Sequence, residues 1–251
     1  MKTKITFLMA LMFNVFLFNL QAAELTATSS NISTVYLGAS DGDVILLAAG
    51  TYTYNFPLQA SKTITIKKDP SAATTPILTA QLADPAGSGG GIIFNGIKIN
   101  RSSSMANGDY FINFTSAFTG AVSTIQFLNC EITGFGRCLV RSQATASASL
   151  TIGSIVIDNC LIHDIGNSYA FIQINHILGT LTLTNSTLYN YGGQRFFLPS
   201  NTKQTPITVN ITNNTIYKWS IAGYSFLDVT TKFTNASVYN IKDNIFNLIY
   251  S

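Results

Sequence analysis

A repeated phrase in the second half of the chain constrains the fold more than any other feature of the sequence. Its first clear copy reads Ile125-Gln-Phe-Leu-Asn-Cys-Glu-Ile132, and later copies begin at Ile155, Leu181, Val209 and Tyr239. The anchor residues of these copies are spaced 30, 26, 28 and 30 residues apart: Asn129, Asn159, Asn185, Asn213 and Asp243. A period of this length, with short strands inside each copy, is typical of a solenoid whose stacked coils bury one continuous core.

Stacking of the copies predicts two ladders along the solenoid axis. The Asn slot becomes a row of amides at a turn, each bonded to the next coil. The slot three residues later becomes an aliphatic core stack of Ile132, Ile162, Leu188 and Ile216. Strand-like alternation also precedes the repeats, as in Thr63-Ile-Thr-Ile-Lys67. We find no convincing helical period after the leader and interpret Glu24–Thr34 as a loose lead-in, so the prediction is an all-β parallel solenoid.

Residues 1–23 have the features of a secretory signal peptide. Lys2 and Lys4 precede an apolar run over residues 5–20, and Ala22 and Ala23 suit cleavage. The run is short for a membrane span, and asparagines interrupt it. No later segment is apolar enough to span a membrane. The sequence therefore predicts a secreted β-helix domain over residues 24–251, located outside the cell, in the periplasm or on the cell surface.

The charge composition argues against a nucleic-acid partner. Only 10% of the residues are charged, whereas about a quarter is usual for a soluble domain. Without the lysines of the leader, 12 basic residues face 11 acidic ones. The chain therefore lacks the basic stripe that would neutralise phosphates.

The three cysteines are Cys130, Cys138 and Cys160. An odd number leaves at least one free thiol. Cys130 and Cys160 hold the same slot in consecutive repeats, so we expect them to be small buried core residues. A disulfide between them is the alternative.

Several segments of the chain resemble a known family. The segment Gly42-Asp-Val-Ile-Leu-Leu-Ala-Ala-Gly-Thr-Tyr52, the strand at Ile64–Ile66 and the Asn-Cys-x-Ile turns are similar to those of secreted pectate-lyase-like proteins. Within that family the chain resembles the chondroitinase-B-like and alginate-lyase-like branch, and bacterial secreted proteins of unknown function in it. The resemblance covers residues 35–251 and implies a right-handed, single-stranded parallel β-helix. It also implies that ligands lie along one outward sheet face.

One strand in each coil is predicted to carry that face, and its alternation assigns the two sides. These strands are 110–115, 138–143, 170–175, 195–200 and 225–230. The residues predicted to point inward are Ile112, Val140, Ile172, Ile174, Phe196, Leu198, Leu227 and Val229. The residues predicted to point outward and to bind a glycan are Asn113, Arg141, Gln173, Asn175, Arg195 and Asp228. Their amides and charges suit sugar hydroxyls and a uronate carboxylate, while an ordinary solvated sheet face is the alternative.

The chain matches the lyase residues that the resemblance implies only in part. β-Elimination needs a neutralised substrate carboxylate, a base and a proton donor. The resembling lyases supply these with a Lys base, an Arg and a calcium ion held by acidic residues. Arg141 matches the family's Arg and is the candidate catalytic residue, but Ser142 replaces a His, and Phe111–Thr115 contains no Lys. Glu24 and Glu131 are the only glutamates, so no matching calcium site is found and no cofactor is predicted, with calcium left as the alternative.

The two histidines, His163 and His176, form no metal motif by their spacing. We interpret both as isolated turn or surface imidazoles, and the sequence predicts no metal site.

The last residues, Asn244–Ser251, directly follow a repeat phrase, and no capping helix or polar coil is visible after it. Either the last coil is exposed and pairs with another chain, or the sequence is a shortened member of a longer family. Self-association through the C-terminal coil is therefore an expectation.

Together these features predict a carbohydrate-associated protein, non-catalytic or degenerate, that binds a polysaccharide or a cell-surface glycan. The first alternative is a polysaccharide lyase that acts by β-elimination on uronate-containing glycans through Arg141 and an unrecognised base. The second alternative is a structural or adhesive surface protein.

Overall fold

The chain folds as a parallel β-helix, which confirms the predicted all-β solenoid. The structure is a computed structural model. It describes residues 22–82, 89–101, 110–114, 120–134, 136–142, 150–166, 169–175, 177–199, 206–219, 223–228 and 236–247. Nearly all regular elements in these ranges are strands, and the one helix among them is the short α1 (Ile32–Gly38). Residues 1–21 of the predicted leader lie outside the described residues, and no helix in the described ranges is long and apolar enough to cross a membrane.

The described strands form three parallel sheets, with neighbours contributed by successive coils. Sheet A contains β1 (Glu24–Ala27), β2 (Val44–Leu47), β4 (Thr63–Lys68), β6 (Gly91–Asn95), β9 (Ala121–Leu128), β12 (Thr151–Asp158), β15 (Ile177–Thr184), β18 (Thr208–Thr212) and β20 (Val238–Lys242), in that order. Sheet B contains β3 (Thr51–Tyr52), β5 (Ile77–Leu78), β7 (Lys98–Asn100), β10 (Glu131–Thr133), β13 (Leu161–Ile165), β16 (Thr187–Tyr191), β19 (Thr215–Trp219) and β21 (Ile245–Asn247). Sheet C contains β8 (Tyr110–Phe114), β11 (Cys138–Ser142), β14 (Ile172–Ile174) and β17 (Phe197–Pro199).

The core lies inside the coils because inward residues of successive strands stack in register. In sheet A, Ile125 pairs with Ile155, which pairs with Leu181, and all three are fully buried. Complete burial of one such side chain contributes about 1.5–3 kcal/mol. The predicted aliphatic stack of sheet B is also in register and buried: Ile132, Ile162, Leu188 and Ile216.

The repeated Asn slot forms the corner between sheets A and B. Its five anchor residues have positive φ values between 52° and 60°: Asn129, Asn159, Asn185, Asn213 and Asp243. Asn and Asp tolerate this left-handed conformation better than most residues. Asn129 Nδ2 donates to Asn95 Oδ1 at 2.9 Å, and Asn159 Nδ2 donates to Asn129 Oδ1 at 2.7 Å. The predicted amide ladder is therefore present in these coils, whereas Asn185 donates to the Asp158 carboxylate at 2.8 Å, a stronger acceptor.

A second, buried ladder runs beside this corner. The backbone N–H of Cys130 donates to Cys160 Sγ at 3.4 Å, and the N–H of Cys160 donates to Ser186 Oγ at 3.0 Å. The N–H of Ser186 donates to Asn214 Oδ1 at 2.9 Å. Cys130 and Cys160 are free, buried thiols, as expected from the sequence, and no disulfide joins them. Side chains at this slot therefore accept hydrogen bonds from backbone N–H groups that lie at the turn between sheets A and B.

The start of the chain differs from the predicted loose lead-in. Residues 24–27 form β1, which pairs with β2, and α1 follows it. Tyr36 of α1 is fully buried, packs edge-on against Phe56 at 5.2 Å and donates its hydroxyl hydrogen to Pro57 O at 2.9 Å. At seven residues, α1 is too short to produce a clear helical period, so none is visible in the sequence. Helix α1 packs against the core beside β1, the first strand of sheet A.

Candidate functional site

The outward face of sheet C carries the centre of the predicted glycan-binding row. Asn113 on β8 pairs in register with Arg141 on β11, and Arg141 pairs with Gln173 on β14. Ile112, Val140, Ile172 and Ile174 alternate with this row and are buried, as predicted. We call Asn113, Arg141 and Gln173 the polar row.

The next strand does not continue the polar row as the sequence predicted. Gln173 pairs with Leu198, so Leu198 holds an outward slot, and its predicted inward orientation was wrong. Phe196 and Phe197 are both buried, which shifts the alternation by one residue. Two consecutive residues are also buried on the preceding strand, Phe171 and Ile172, and the register shows that Phe197 holds the inward slot of Ile172. Leu198 is only 8% exposed, and its apolar side chain interrupts the row of polar side chains.

The remaining predicted residues lie around the polar row. Asn175 follows β14, and its backbone N–H donates to Ser142 Oγ at 2.9 Å. Leu227 forms a bridge with Phe197, so Asp228 occupies the slot beyond Leu198. Val229 and the strand ends predicted at positions 115, 143, 200 and 230 lie outside the described residues.

Two guanidinium groups converge on the Tyr110 ring beside the polar row. The guanidinium carbon of Arg141 lies 4.5 Å from the ring centroid, and that of Arg137 lies 5.4 Å from it. Arg137 Nη1 also donates to the Tyr110 hydroxyl at 2.7 Å. Burial lowers the pKa of Arg141, and the positive charge of Arg137 acts in the same direction. Sequence reasoning missed Arg137 because it precedes the strand, although its four-residue spacing from Arg141 was a usable signal.

Three amide oxygens on this face are buried without a hydrogen-bond partner among the described residues. They are Asn113 Oδ1, Gln173 Oε1 and Asn175 Oδ1. A buried acceptor that lacks a donor costs about 1–3 kcal/mol. All three oxygens can accept a hydrogen bond from water or from a hydroxyl-bearing ligand.

Arg195 and Asp228 form a separate charged pair at the other end of the face. Arg195 Nε lies 3.0 Å from Asp228 Oδ2, and Arg195 Nη1 donates to Gln194 Oε1 at 2.7 Å. The guanidinium carbon of Arg195 lies 4.6 Å from the centroid of the Tyr224 ring. Both charged side chains are partly buried, so each largely neutralises the other. The structure therefore brings the two predicted residues together, with Asp228 at a register slot three strands away from Arg141.

The structure describes several of the positions at which the sequence was compared with the lyases. Arg141 is present on the face. Ser142, at the position of the family's His, is fully buried, and its hydroxyl accepts the Asn175 N–H. The described strand β8 contains no Lys or His. No side chain in this described part of the face holds the place of the family's base.

A second polar cluster lies on the outward face of sheet B and was not predicted. His163 lies on strand β13, where its Nε2 is 3.3 Å from Glu131 Oε1 and its Nδ1 is 2.8 Å from Asp164 Oδ2. Lys98 Nζ donates to Glu131 Oε1 at 2.5 Å, and the His163 ring stacks on Tyr189 at 5.0 Å. The interpretation of His163 as an isolated imidazole was wrong. The shared repeat slot of Thr133, His163 and Tyr189 was the available signal.

The carboxylates of this cluster are stabilised in their charged form. Burial acts to raise the pKa of Glu131, but the hydrogen bond and charge of Lys98, together with His163, hold it below its ordinary value. Hydrogen bonds from His163 and Asn190 lower the pKa of Asp164. The described residues contain no group of three or more His, Cys, Asp or Glu placed to hold a metal ion. His176 lies outside them.

Comparison with known proteins adds no family to this description. No family model matches the chain, and no curated protein sequence matches it. The class is therefore defined by the structure alone, as a parallel β-solenoid with three sheets.

Proposed function

We propose that the protein is a secreted, carbohydrate-associated β-helix protein that binds an acidic polysaccharide or cell-surface glycan on the outward face of sheet C. The convergence of Arg137 and Arg141 on one tyrosine ring carries this proposal. Two like charges that contact the same ring favour an anionic ligand, since a carboxylate beside them offsets their repulsion and accepts charge-assisted hydrogen bonds. The resemblance to pectate-lyase-like proteins supports the same class of ligand.

The orphaned amide oxygens support a sugar in particular. Asn113 and Gln173 flank Arg141 on neighbouring strands, which lie about 4.8 Å apart in a sheet. Their buried oxygens need donors, and the hydroxyl groups of a saccharide supply donors at close spacing. A glycan that follows the solenoid axis would place its carboxylate on Arg141 and its hydroxyls on the two amides.

The Arg195–Asp228 pair bounds this binding surface. Because its charges are mutually neutralised, it favours hydroxyl groups over a second carboxylate. The apolar side chain of Leu198 lies between the Arg195–Asp228 pair and the polar row. We therefore expect one acidic sugar to be recognised at Arg141 and a neutral one near Arg195.

A glycan array with matched variants tests the proposal. Arg141→Ala should weaken retention of a uronate-containing glycan at least tenfold, because a hydrogen bond to a charged group contributes about 1.5–3 kcal/mol. Arg137→Ala should weaken it in the same direction. Lys67→Ala is the control, since it removes the same charge from sheet A. Equal retention by the Arg141→Ala and Lys67→Ala proteins would show that sheet C is not the binding face.

The same samples distinguish binding from catalysis. A lyase would produce unsaturated uronate ends, with new ultraviolet absorbance, on incubation with alginate, chondroitin or pectin. We expect binding without that absorbance, because the described face has Arg141 but no side chain at the position of the base. Product formation that disappears in Arg141→Ala would replace the binding proposal with the lyase alternative.

A further inference from the structure

One buried carboxylate ties the residue before β1 to the segment between α1 and β2. Asp43 is only 6% exposed. Its Oδ1 accepts a hydrogen bond from the backbone N–H of Ala23 at 2.8 Å, and its Oδ2 accepts one from the N–H of Ser40 at 2.7 Å. The N–H of Val44 also donates to Ala23 O at 2.9 Å. Ala23 is therefore held at both its backbone nitrogen and its backbone oxygen.

The charge of Asp43 has no counter-charge in this arrangement. Both of its donors are neutral backbone amides, and no cationic side chain pairs with it among the described residues. Burial of a carboxylate is costly unless a cation pairs with it. A positive charge on one of the two donors would therefore stabilise the folded chain.

Cleavage of the chain directly before Ala23 supplies such a charge. Removal of a signal peptide turns the amide nitrogen of the first remaining residue into an α-ammonium group, whose ordinary pKa is about 8. The sequence alone permits a cut after Ala22 or after Ala23, because both are small residues. A cut after Ala23 would remove the donor to Asp43 Oδ1 and the acceptor of the Val44 N–H. A cut after Ala22 keeps both contacts.

We propose that the chain is processed between Ala22 and Ala23, and that the new α-ammonium group of Ala23 forms an ion pair with Asp43. Processing of this kind rests on the secretion proposed above, because only an exported chain meets a signal peptidase. One water molecule hydrolyses the peptide bond and leaves a carboxylate on Ala22 and an ammonium on Ala23. The separation of 2.8 Å already suits a charge-assisted hydrogen bond.

The ion pair links processing to the stability of the first coil. Asp43 joins the start of β1 to the segment after α1, and its backbone oxygen accepts the N–H of Thr65 on β4 at 3.0 Å. The uncut chain makes the contact at Ala23 with a neutral amide. We therefore expect the uncut chain to hold this coil less stably than the processed chain does.

N-terminal sequencing of the chain exported by a bacterial host tests the position of the cut. A single sequence that begins at Ala23 is expected. A chain that begins at Glu24 or at any other residue would overturn the proposal and leave secretion standing. An uncut chain of 251 residues would contradict both secretion and the proposal. Glycan retention on sheet C is measured separately, so neither result decides the glycan-binding proposal.

Thermal unfolding at pH 6 tests the ion pair in two chains produced without the leader, one from Ala22 and one from Ala23. Both contain every described strand and the donor to Asp43, but only the second places an ammonium group there. It should melt about 2–4 °C higher, the usual shift for one additional charge-assisted contact in a chain of this size. Asp43→Asn should abolish this difference. Asp41→Asn is the matched control and should preserve it, because the Asp41 carboxylate accepts the N–H of Thr63 instead.

Equal melting temperatures of the two chains would overturn the ion pair, and so would a difference that persists in Asp43→Asn. If Asp43→Asn does not fold, acetylation of the α-amino group of Ala23 replaces it. Acetylation removes the positive charge and should lower the melting temperature to that of the chain from Ala22. An unchanged melting temperature after acetylation would contradict the proposal in the same way.

Discussion

At the scale of single residues, the Asn corner combines two effects that substitution can separate. Asn159 has a φ of 52° and donates to Asn129 at 2.7 Å. A left-handed residue with a Cβ atom costs about 1–2 kcal/mol, and Asn offsets part of that cost by local hydrogen bonding. The amide ladder adds about 0.5–1.5 kcal/mol for each bond. Turn geometry and ladder therefore both favour asparagine at this slot.

Asn159→Ala should lower the free energy of unfolding by about 2 kcal/mol, since it loses the ladder bond and keeps an unfavourable φ. Asn159→Gly should lower it by about half as much, because glycine adopts positive φ without steric cost. Urea denaturation of both variants measures the difference. Equal losses would mean that backbone conformation contributes nothing at this corner.

At Gly153, the backbone of the preceding coil occupies the space that a side chain would need. A Cβ atom at this position would lie 2.4 Å from the backbone oxygen of Ser123. Gly153→Ala should therefore lower the free energy of unfolding by about 3 kcal/mol or more, because backbone in two sheet rungs must shift. Gly38→Ala is the control: a Cβ there meets nothing within 4 Å. Thermal unfolding of the two variants should differ strongly, and similar melting temperatures would contradict the crowded contact.

At the scale of elements, the charged cluster on sheet B links three strands by side-chain contacts. Lys98, Glu131 and His163 come from β7, β10 and β13. Because Glu131 and Asp164 have lowered pKa values in the folded protein, their contribution to stability is present above the unfolded value near 4. It is lost as the pH falls through the lower folded values.

The melting temperature of the wild type should accordingly fall as the pH drops from 6 to 3. Glu131→Gln combined with Asp164→Asn should make the melting temperature depend less on pH between 6 and 3. The double variant should also melt at a lower temperature than the wild type at pH 6. Scanning calorimetry across the range gives both quantities. Asp69→Asn serves for comparison, since Asp69 also has a lowered pKa but its carboxylate accepts hydrogen bonds from Ser71, outside the cluster. If the melting temperature falls equally steeply with pH in the wild type and in the double variant, the cluster does not contribute to the acid sensitivity of the protein.

Some features of these elements could be predicted from the sequence, and others could not. The period of the Asn slot predicted the solenoid, and alternation predicted the polar row of Asn113, Arg141 and Gln173. Alternation failed at Leu198 because Phe196 and Phe197 are both buried, as Phe171 and Ile172 are on the strand before, so a two-residue period cannot say which of the two holds the inward slot. The cluster at His163 required the pairing of distant strands, which becomes visible only when the repeats are aligned slot by slot.

At the scale of the whole molecule, the described coils differ in how deeply their strands are buried. Each coil contacts mainly its neighbours, so stability is close to a sum over coils and their interfaces. The first coils are covered by α1, whereas every residue of β20 and β21 is exposed. Local opening should therefore begin at β20 and β21, and the buried strands before them should open later.

Hydrogen exchange of the native protein should show this gradient. Amides of β20 should exchange fastest, those of β18 more slowly and those of β12 slowest, because an exposed coil can open while its buried neighbours stay closed. Uniform protection from β12 to β20 would contradict coil-by-coil stability.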